Sequence, residues 1–452
     1  SSRLSDFKSA IQHLAPILFS MQVFFPRRAP KGRGLLRPLI HYGRTITNVT
    51  GAYANTQPLW RHTSKTPLEM TMWLSQTTAS GMVPWLHWLG GKPKDVRWQA
   101  PGRDFYRWIA RNQEHFVNRE SMAAMAVVFS QRTNAFYKVP GRGDVTDYLQ
   151  GMYQALLKGR FVFDFVHEDD LSPESLSKYK ALVLANAALL SDQQCNQLRA
   201  FVGRGGSLLA TFESSFYDEN GKRRAQPGLA DIFSVEQNGA MVGPNGNSAY
   251  AQIERNHAIL EGFHGTKLLP FAEHYRPLRA VRNPVLTVLP PYPAFPPEMV
   301  YPRTTHTNQP AVVLLEDGGS RRVYWPGDID RSYWRSQNTD LERLLVNSLR
   351  WLTQTSPVSV TGPGMAEVFA WRTEIGIAVH VLNYTNPAML KGWFSEAYPV
   401  GPQKVTVTLS ASETASKVKL LRSGIEVPFN KSGGRAEFTI PKIRDYEVAV
   451  IV

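Results

Sequence analysis

Seven side chains within one short stretch carry chemistry suited to a polyhydroxylated ligand: Tyr53, Asn55, Arg61, His62, Trp85, His87 and Trp88. Aromatic faces stack on the apolar face of a pyranose, while asparagine, arginine and histidine bond its hydroxyls. Tyr53 and Asn55 follow Thr45–Val49, whose β-branched alternation predicts a strand. Trp85, His87 and Trp88 lie in a second apolar run, Met82–Leu89, also read as a strand. All seven would stand at or just beyond strand ends. The plainer expectation for Trp85 and Trp88 is that they fill an interior. Glu69, in the first turn of a helix opened by Thr66-Pro67, reads as a carboxylate that complements the helix dipole.

Other chemistry-bearing groups have structural readings that weigh more. His167-Glu168-Asp169-Asp170 closes a strand and orders the loop and the following helix start, the alternatives being that it binds a cation or reaches into a neighbour's active site. Asp328, Asp330 and Arg331 suit an internal ion-pair cluster or a subunit contact. The single cysteine, Cys195, forbids an intrachain disulfide and a cysteine-rich metal site. The His, Cys and Asp spacings form no metal motif, and no cofactor is implied.

Length and charge narrow the class. A chain of 452 residues suggests about three domains. The net charge is +14, and residues 1–120 hold 17 Lys/Arg against 6 Asp/Glu, so 11 of the excess charges lie there. No helix-turn-helix, zinc-finger or RNP-like pattern accompanies them, so a nucleic-acid partner is not expected. No apolar run reaches the ~20 residues of a membrane span, and Ile11–Phe25 is broken by Pro16. The first residues do not read as a signal peptide, and the compartment stays open.

The elements that must position these groups fall into three stretches. Ser5–Leu18 suits a helix and Phe25–Pro38 a basic linker. Thr45–Val49, the helix from Thr66-Pro67 to Gly81, Met82–Leu89 and the amphipathic Arg103–Arg111 then read as strand, helix, strand, helix. In the middle stretch, Ala123–Phe129 is a strand and Asp147–Leu157 a helix. Phe161–Val166, a helix capped by Ser172 and Pro173, Ala181–Ala185, a helix capped by Ser191, and Ser207–Phe212 form a β-α-β-α-β unit, hence a parallel sheet. Asn283–Phe295 is proline-rich and reads as a loop; Ala311–Leu315 and Val323–Trp325 read as paired strands before a helix over Asp340–Leu352. Beyond Ser356, Glu367–Trp371, Ile377–Leu382, Lys404–Leu409, Ser416–Leu421 and Glu437–Ile440 alternate, predicting a small antiparallel β-sandwich.

Two stretches carry a family resemblance. HEDDL…KYKALVLANAALLSDQQC…LRAFVGRGGSLLATFESSFYDENGKRR…GLADIF resembles the middle, trimerisation domain of family 42 β-galactosidases and their relatives. That resemblance implies a class I glutamine amidotransferase-like (flavodoxin-like) α/β fold without its chemistry. The place matching the amidotransferase nucleophile elbow is Thr211-Phe212-Glu213-Ser214-Ser215, and no cysteine stands there. TGAYAN…LWRHT…PLEMTMWLSQTTASGMVPWLHWLGG, followed by FYRWIARNQEHFVNRES, resembles the last quarter of a (β/α)8 barrel in the same hydrolases, closest to the type found in family 151 α-L-fucosidases.

The expected architecture is therefore α/β: a partial barrel over 1–118, the amidotransferase-like domain over 119–356 and the β-sandwich over 357–452. A whole barrel takes roughly 250 residues, so the chain is expected to be a fragment, with a second polypeptide as one carrier of the rest; the alternative is that residues 1–50 cover a reduced barrel. In family 42 the nucleophile follows the seventh strand and the acid/base the fourth. If Met82–Leu89 is the eighth strand, the seventh ends in Thr50-Gly51-Ala52-Tyr53-Ala54-Asn55, which holds no carboxylate. The catalytic pair is thus unassigned. The resemblance implies a glycoside hydrolase acting on terminal sugars, α-L-fucosidase-like, with β-galactosidase as alternative, a carbohydrate substrate and a homotrimer or higher oligomer. A non-catalytic carbohydrate-binding or assembly protein is the contrasting reading.

Overall fold

The computed structural model describes residues 47–452 except 55–59, 89–90, 118, 138–143, 245–248, 280–282, 305–306, 387–395 and 412. The expected Ser5–Leu18 helix and Phe25–Pro38 linker lie outside the described residues. The chain divides into two compact units. The first comprises residues 1–123, 160–162 and 356–452, and the second 124–159 and 163–355.

The first unit opens with β1 (Thr47–Gly51), a hairpin of β2 (Tyr53–Ala54) and β3 (Trp60–Ser64), helix α1 (Pro67–Ala79), β4 (Val83–His87) and helix α2 (Gln99–Arg111). Thr66 caps α1 by accepting the Glu69 backbone N–H at 3.1 Å, and Pro67 occupies the first helical position. Gly81 ends the turn at φ +91, where a side chain would also meet the Trp371 ring at 2.8 Å. β1 and β4 pair in parallel, as a helical crossover between them demands. Asn48 and Thr50 are buried, and Asn48 Nδ2 donates to Thr77 Oγ1 of α1 at 2.8 Å. By alternation, Val49, Val83 and Trp85 take the opposite face and stay 37, 47 and 56 % exposed.

The rest of this unit is a two-sheet sandwich. One sheet has four strands, in the order Val358–Thr361, Gln403–Thr408, Arg435–Ile440, Phe429–Ser432. The other has six and is built around Tyr446–Ile451, Gly376–Asn383 and Ala366–Thr373, with Glu120–Ser121 as an edge strand. Val405 and Phe438 of one sheet share a core with Val379, Val381 and Ala449 of the other. Four of these strands, Glu120–Ser121, Val358–Thr361, Phe429–Ser432 and Tyr446–Ile451, go beyond the expectation. Tyr446–Ile451 is buried at every position and shows no alternation to read.

The second unit is built on β5 (Met125–Phe129), β6 (Phe163–His167), β7 (Ala181–Leu184), β8 (Ser207–Thr211) and the hairpin β9 (Val313–Asp317) and β10 (Ser320–Trp325). The sheet order is β9-β10-β8-β7-β5-β6, parallel throughout except for β9 against β10. Its helices include α3 (Gln131–Phe136), α4 (Thr146–Lys158), α5 (Asp192–Gly203), α6 (Ile329–Ser336) and α7 (Thr339–Thr353). Ser191 and Gln194 form a reciprocal capping box at the start of α5.

Two expectations are corrected here. No helix follows Ser172 and Pro173: residues 173–178 form successive turns. Between buried Leu171 and buried Tyr179 only Leu176 is apolar and buried, and the segment is too short to repay helix nucleation. Asn283–Phe295 is not all loop, because Leu286–Leu289 is a fully buried strand paired with Tyr250–Ile253. The prolines at 284 and 290 flank this strand, and none interrupts it.

Candidate functional site

The carboxyl ends of β1 and β4 lie side by side, with Gly51 opposite His87. Ala52 N–H donates to the His87 carbonyl at 2.8 Å, and Lys65 N–H donates to the Ala52 carbonyl at 3.0 Å. These bonds tie the two strand ends and the start of α1 into one surface. A side chain at Gly51 would lie 3.0 Å from the Tyr53 ring and would make that ring give way. Tyr53 meets His87 edge-on at 5.6 Å and Trp88 at 6.2 Å between ring centroids. Trp88 in turn stacks on Trp98, 6.0 Å away and 19° from parallel. Tyr53, His87 and Trp88 are thus brought together.

The remaining expected residues fall in different places. Trp85 shares the strand face of Val49 and Val83 and stays open. Arg61 and His62 lie on exposed β3, beside Trp60, which is also exposed. Asn55 is outside the described residues.

Three side chains that the sequence reading passed over or discounted complete the surface. Lys65 is 8 % exposed, and its ammonium lies 5.3 Å from the centre of the Trp73 ring. Burial pulls its pKa down to about 8, against the opposing pull of Glu69. Glu69 is itself buried and accepts the Trp73 indole N–H at 2.6 Å. Burial, then the Lys65 charge, holds the His87 imidazole below its ordinary pKa and so favours the neutral ring. A signal for Lys65 does exist in the sequence. A cation directly before an N-cap opposes the helix dipole and so calls for another purpose.

In the second unit, the ends of the parallel strands are filled from within. Phe212, at the elbow position after β8, adopts φ +48, is fully buried and stacks on Tyr148 at 5.9 Å. Glu213 accepts from Arg276 Nε at 2.7 Å and from the Tyr137 hydroxyl. Glu168 accepts from Ser130 Oγ at 2.5 Å and from the Arg132 backbone N–H at 3.0 Å, so it orders the start of α3. Cys195 is buried within α5, and burial pushes its thiol up to about 11, which keeps it protonated and inert.

Glu273, His274 and Asp328 bring possible metal-ligand atoms within 4.8 Å of one another. Arg331 Nη1 already bonds Glu273 at 2.7 Å and Asp328 at 3.0 Å. The group is therefore an ion-pair cluster with its own counter-charge.

Residues 123–246 match the family model described as the β-galactosidase trimerisation domain. A β-galactosidase of Geobacillus is 31% identical over 90 residues, which are 19% of this chain and 13% of that protein. Among solved structures, α-L-fucosidase isoenzyme 2 of Paenibacillus thiaminolyticus superposes with a TM-score of 0.68 at 17% identity, covering 91% of this chain and 61% of that one. The β-galactosidase of Bacillus circulans sp. alkalophilus does so with a TM-score of 0.62 at 14% identity, covering 90% and 55%. At these identities the likeness is one of fold, and the chain spans less than two thirds of each relative.

Proposed function

We propose that this chain belongs to a glycoside hydrolase acting on terminal sugars, with α-L-fucosidase-like activity as the leading reading. The observation that carries the proposal is the Tyr53–His87–Trp88 cluster at paired parallel strand ends, in a chain whose fold matches two exo-glycosidases. Aromatic rings with a hydrogen-bonding imidazole suit a pyranose. The βαβ arrangement and the open face of Val49, Val83 and Trp85 support a partial barrel over 1–118, since strands of a closed barrel direct that face inward. The strand order of the second unit supports a flavodoxin-like middle domain over 119–356, and the sandwich supports the last division, 357–452.

β-Galactosidase activity is the second reading, favoured by the match over 123–246. The catalytic carboxylates are unassigned: residues 50–54, at the end of β1, include none. The trimerisation-domain match supports a homotrimer or higher oligomer.

The test is hydrolysis of p-nitrophenyl α-L-fucoside and β-D-galactoside by the full-length protein, with intact mass measured alongside. Trp88→Ala and His87→Ala are each expected to lower kcat/KM by about tenfold or more, the loss of about 1.4 kcal/mol or more of sugar contact. Turnover of the galactoside alone would select the second reading. Binding of these sugars without turnover by any preparation would turn the assignment to a carbohydrate-binding protein.

A further inference from the structure

Among the described residues, the chain buries four lysine or arginine side chains: Lys65, Arg276, Arg322 and Arg331. Three of them are ion-paired: Arg276 with Glu213, Arg322 with Asp317, and Arg331 with both Asp328 and Glu273. Lys65 alone of the four has no hydrogen bond or ion pair at its ammonium. Its ammonium lies 5.3 Å from the centre of the Trp73 ring, and the Glu69 carboxylate one turn along attracts it. A lysine side chain this little exposed, whose ammonium has no bonded counter-charge, gains from a ligand that supplies one.

The surroundings carry the same sign. Ser64 N–H donates to Asp95 Oδ2 at 2.8 Å, which brings the 92–97 loop against the residue preceding Lys65. Asp95 itself is taken up by Arg97 at 2.6 Å. On that loop Lys92 and Lys94 are exposed, as is Arg61 on β3, and none of the three has an ion-pair partner among the described residues. The Lys65 backbone N–H donates to the Ala52 carbonyl, and the Ala52 N–H to the His87 carbonyl, so Lys65 borders the cluster assigned above to the sugar.

We propose that Lys65 is an anion-recognising residue and that the site takes an acidic sugar, its oxyanion seated on the Lys65 ammonium. This rests on the carbohydrate reading and names its substrate class. A uronate carboxylate and a sulfate ester offer the same chemistry, a charge-assisted acceptor for three N–H donors.

The test is calorimetric binding of D-galactose, L-fucose, D-galacturonate and D-galactose 6-sulfate to the full-length protein, with Lys65→Met and Lys65→Arg compared. At least one anionic sugar is expected to bind tenfold or more tighter than galactose, and which one identifies the oxyanion. In Lys65→Met the anionic-to-neutral ratio should fall to about one, while Lys65→Arg should keep most of the preference. Equal binding of neutral and anionic sugars by the wild type would overturn the proposal and leave the carbohydrate reading standing. An undiminished preference in Lys65→Met would also overturn it. No binding of any of the four sugars would overturn both.

Discussion

At the scale of single residues, two buried titratable groups make opposite demands on pH. Lys65 titrates at about 8 in the folded chain against its ordinary 10.5. Between those values the unfolded chain holds a proton that the folded chain has lost, so stability rises with pH by up to about 1.4 kcal/mol per unit. Glu69 and His87 are the titratable groups that face it. Denaturant unfolding at pH 7.5 and 10 should show this rise in the wild type, and Lys65→Met should reduce it.

Asp330 behaves conversely. Burial pushes its pKa from 3.8 to about 7, although Thr211 Oγ1 and the Arg331 backbone N–H both donate to it. The folded chain therefore prefers its protonated form, and that preference, complete below about pH 4, is lost as pH rises through 7. In Asp330→Asn the amide nitrogen replaces a neutral hydroxyl and removes the titration. Its stability relative to wild type should improve from pH 4 to 7, read from the same unfolding curves. A difference that stays constant over that range would contradict the assignment. Lys65 was not legible in the sequence as a buried charge, and Asp330 was read as a member of an internal ion-pair cluster although its partners are the Thr211 hydroxyl and a backbone N–H, because burial and pairing depend on what packs across a side chain.

At the scale of elements, α4 and α6 approach each other closely. A side chain on Gly151 would lie 1.9 Å from the Asp330 carbonyl oxygen. Backbone cannot yield there as a flexible side chain can, so Gly151→Ala should destabilise by about 3 kcal/mol or more, measured as a shift in denaturation midpoint. Helix ends read well in advance: Thr66-Pro67, Ser191 and Gly81 each act within a few residues of chain. The segment after Ser172 failed as a helix because a good cap cannot compensate for too few residues to propagate. Leu286–Leu289 was obscured by flanking prolines, which sit outside the strand and leave its ladder intact.

At the scale of the whole molecule, the trimerisation-domain match leads to an expectation about assembly. Size-exclusion chromatography with light scattering should give three copies or a multiple of three, and a strictly monomeric mass across micromolar concentrations would remove that reading. Sequence by itself determined the α/β middle stretch, the terminal β-sandwich and the family likeness, because these rest on local periodicity and on a long matching segment. Only the tertiary structure decided that β5 lies between β6 and β7, and that Glu120–Ser121 joins a sheet whose other strands come more than 200 residues later. It also decided which site residues meet. Tyr53, His87 and Trp88 converge because two strand ends are neighbours, while Arg61 and His62 stay on an open hairpin. Lys65 acquired its character from burial, and burial is a property of everything that surrounds a side chain.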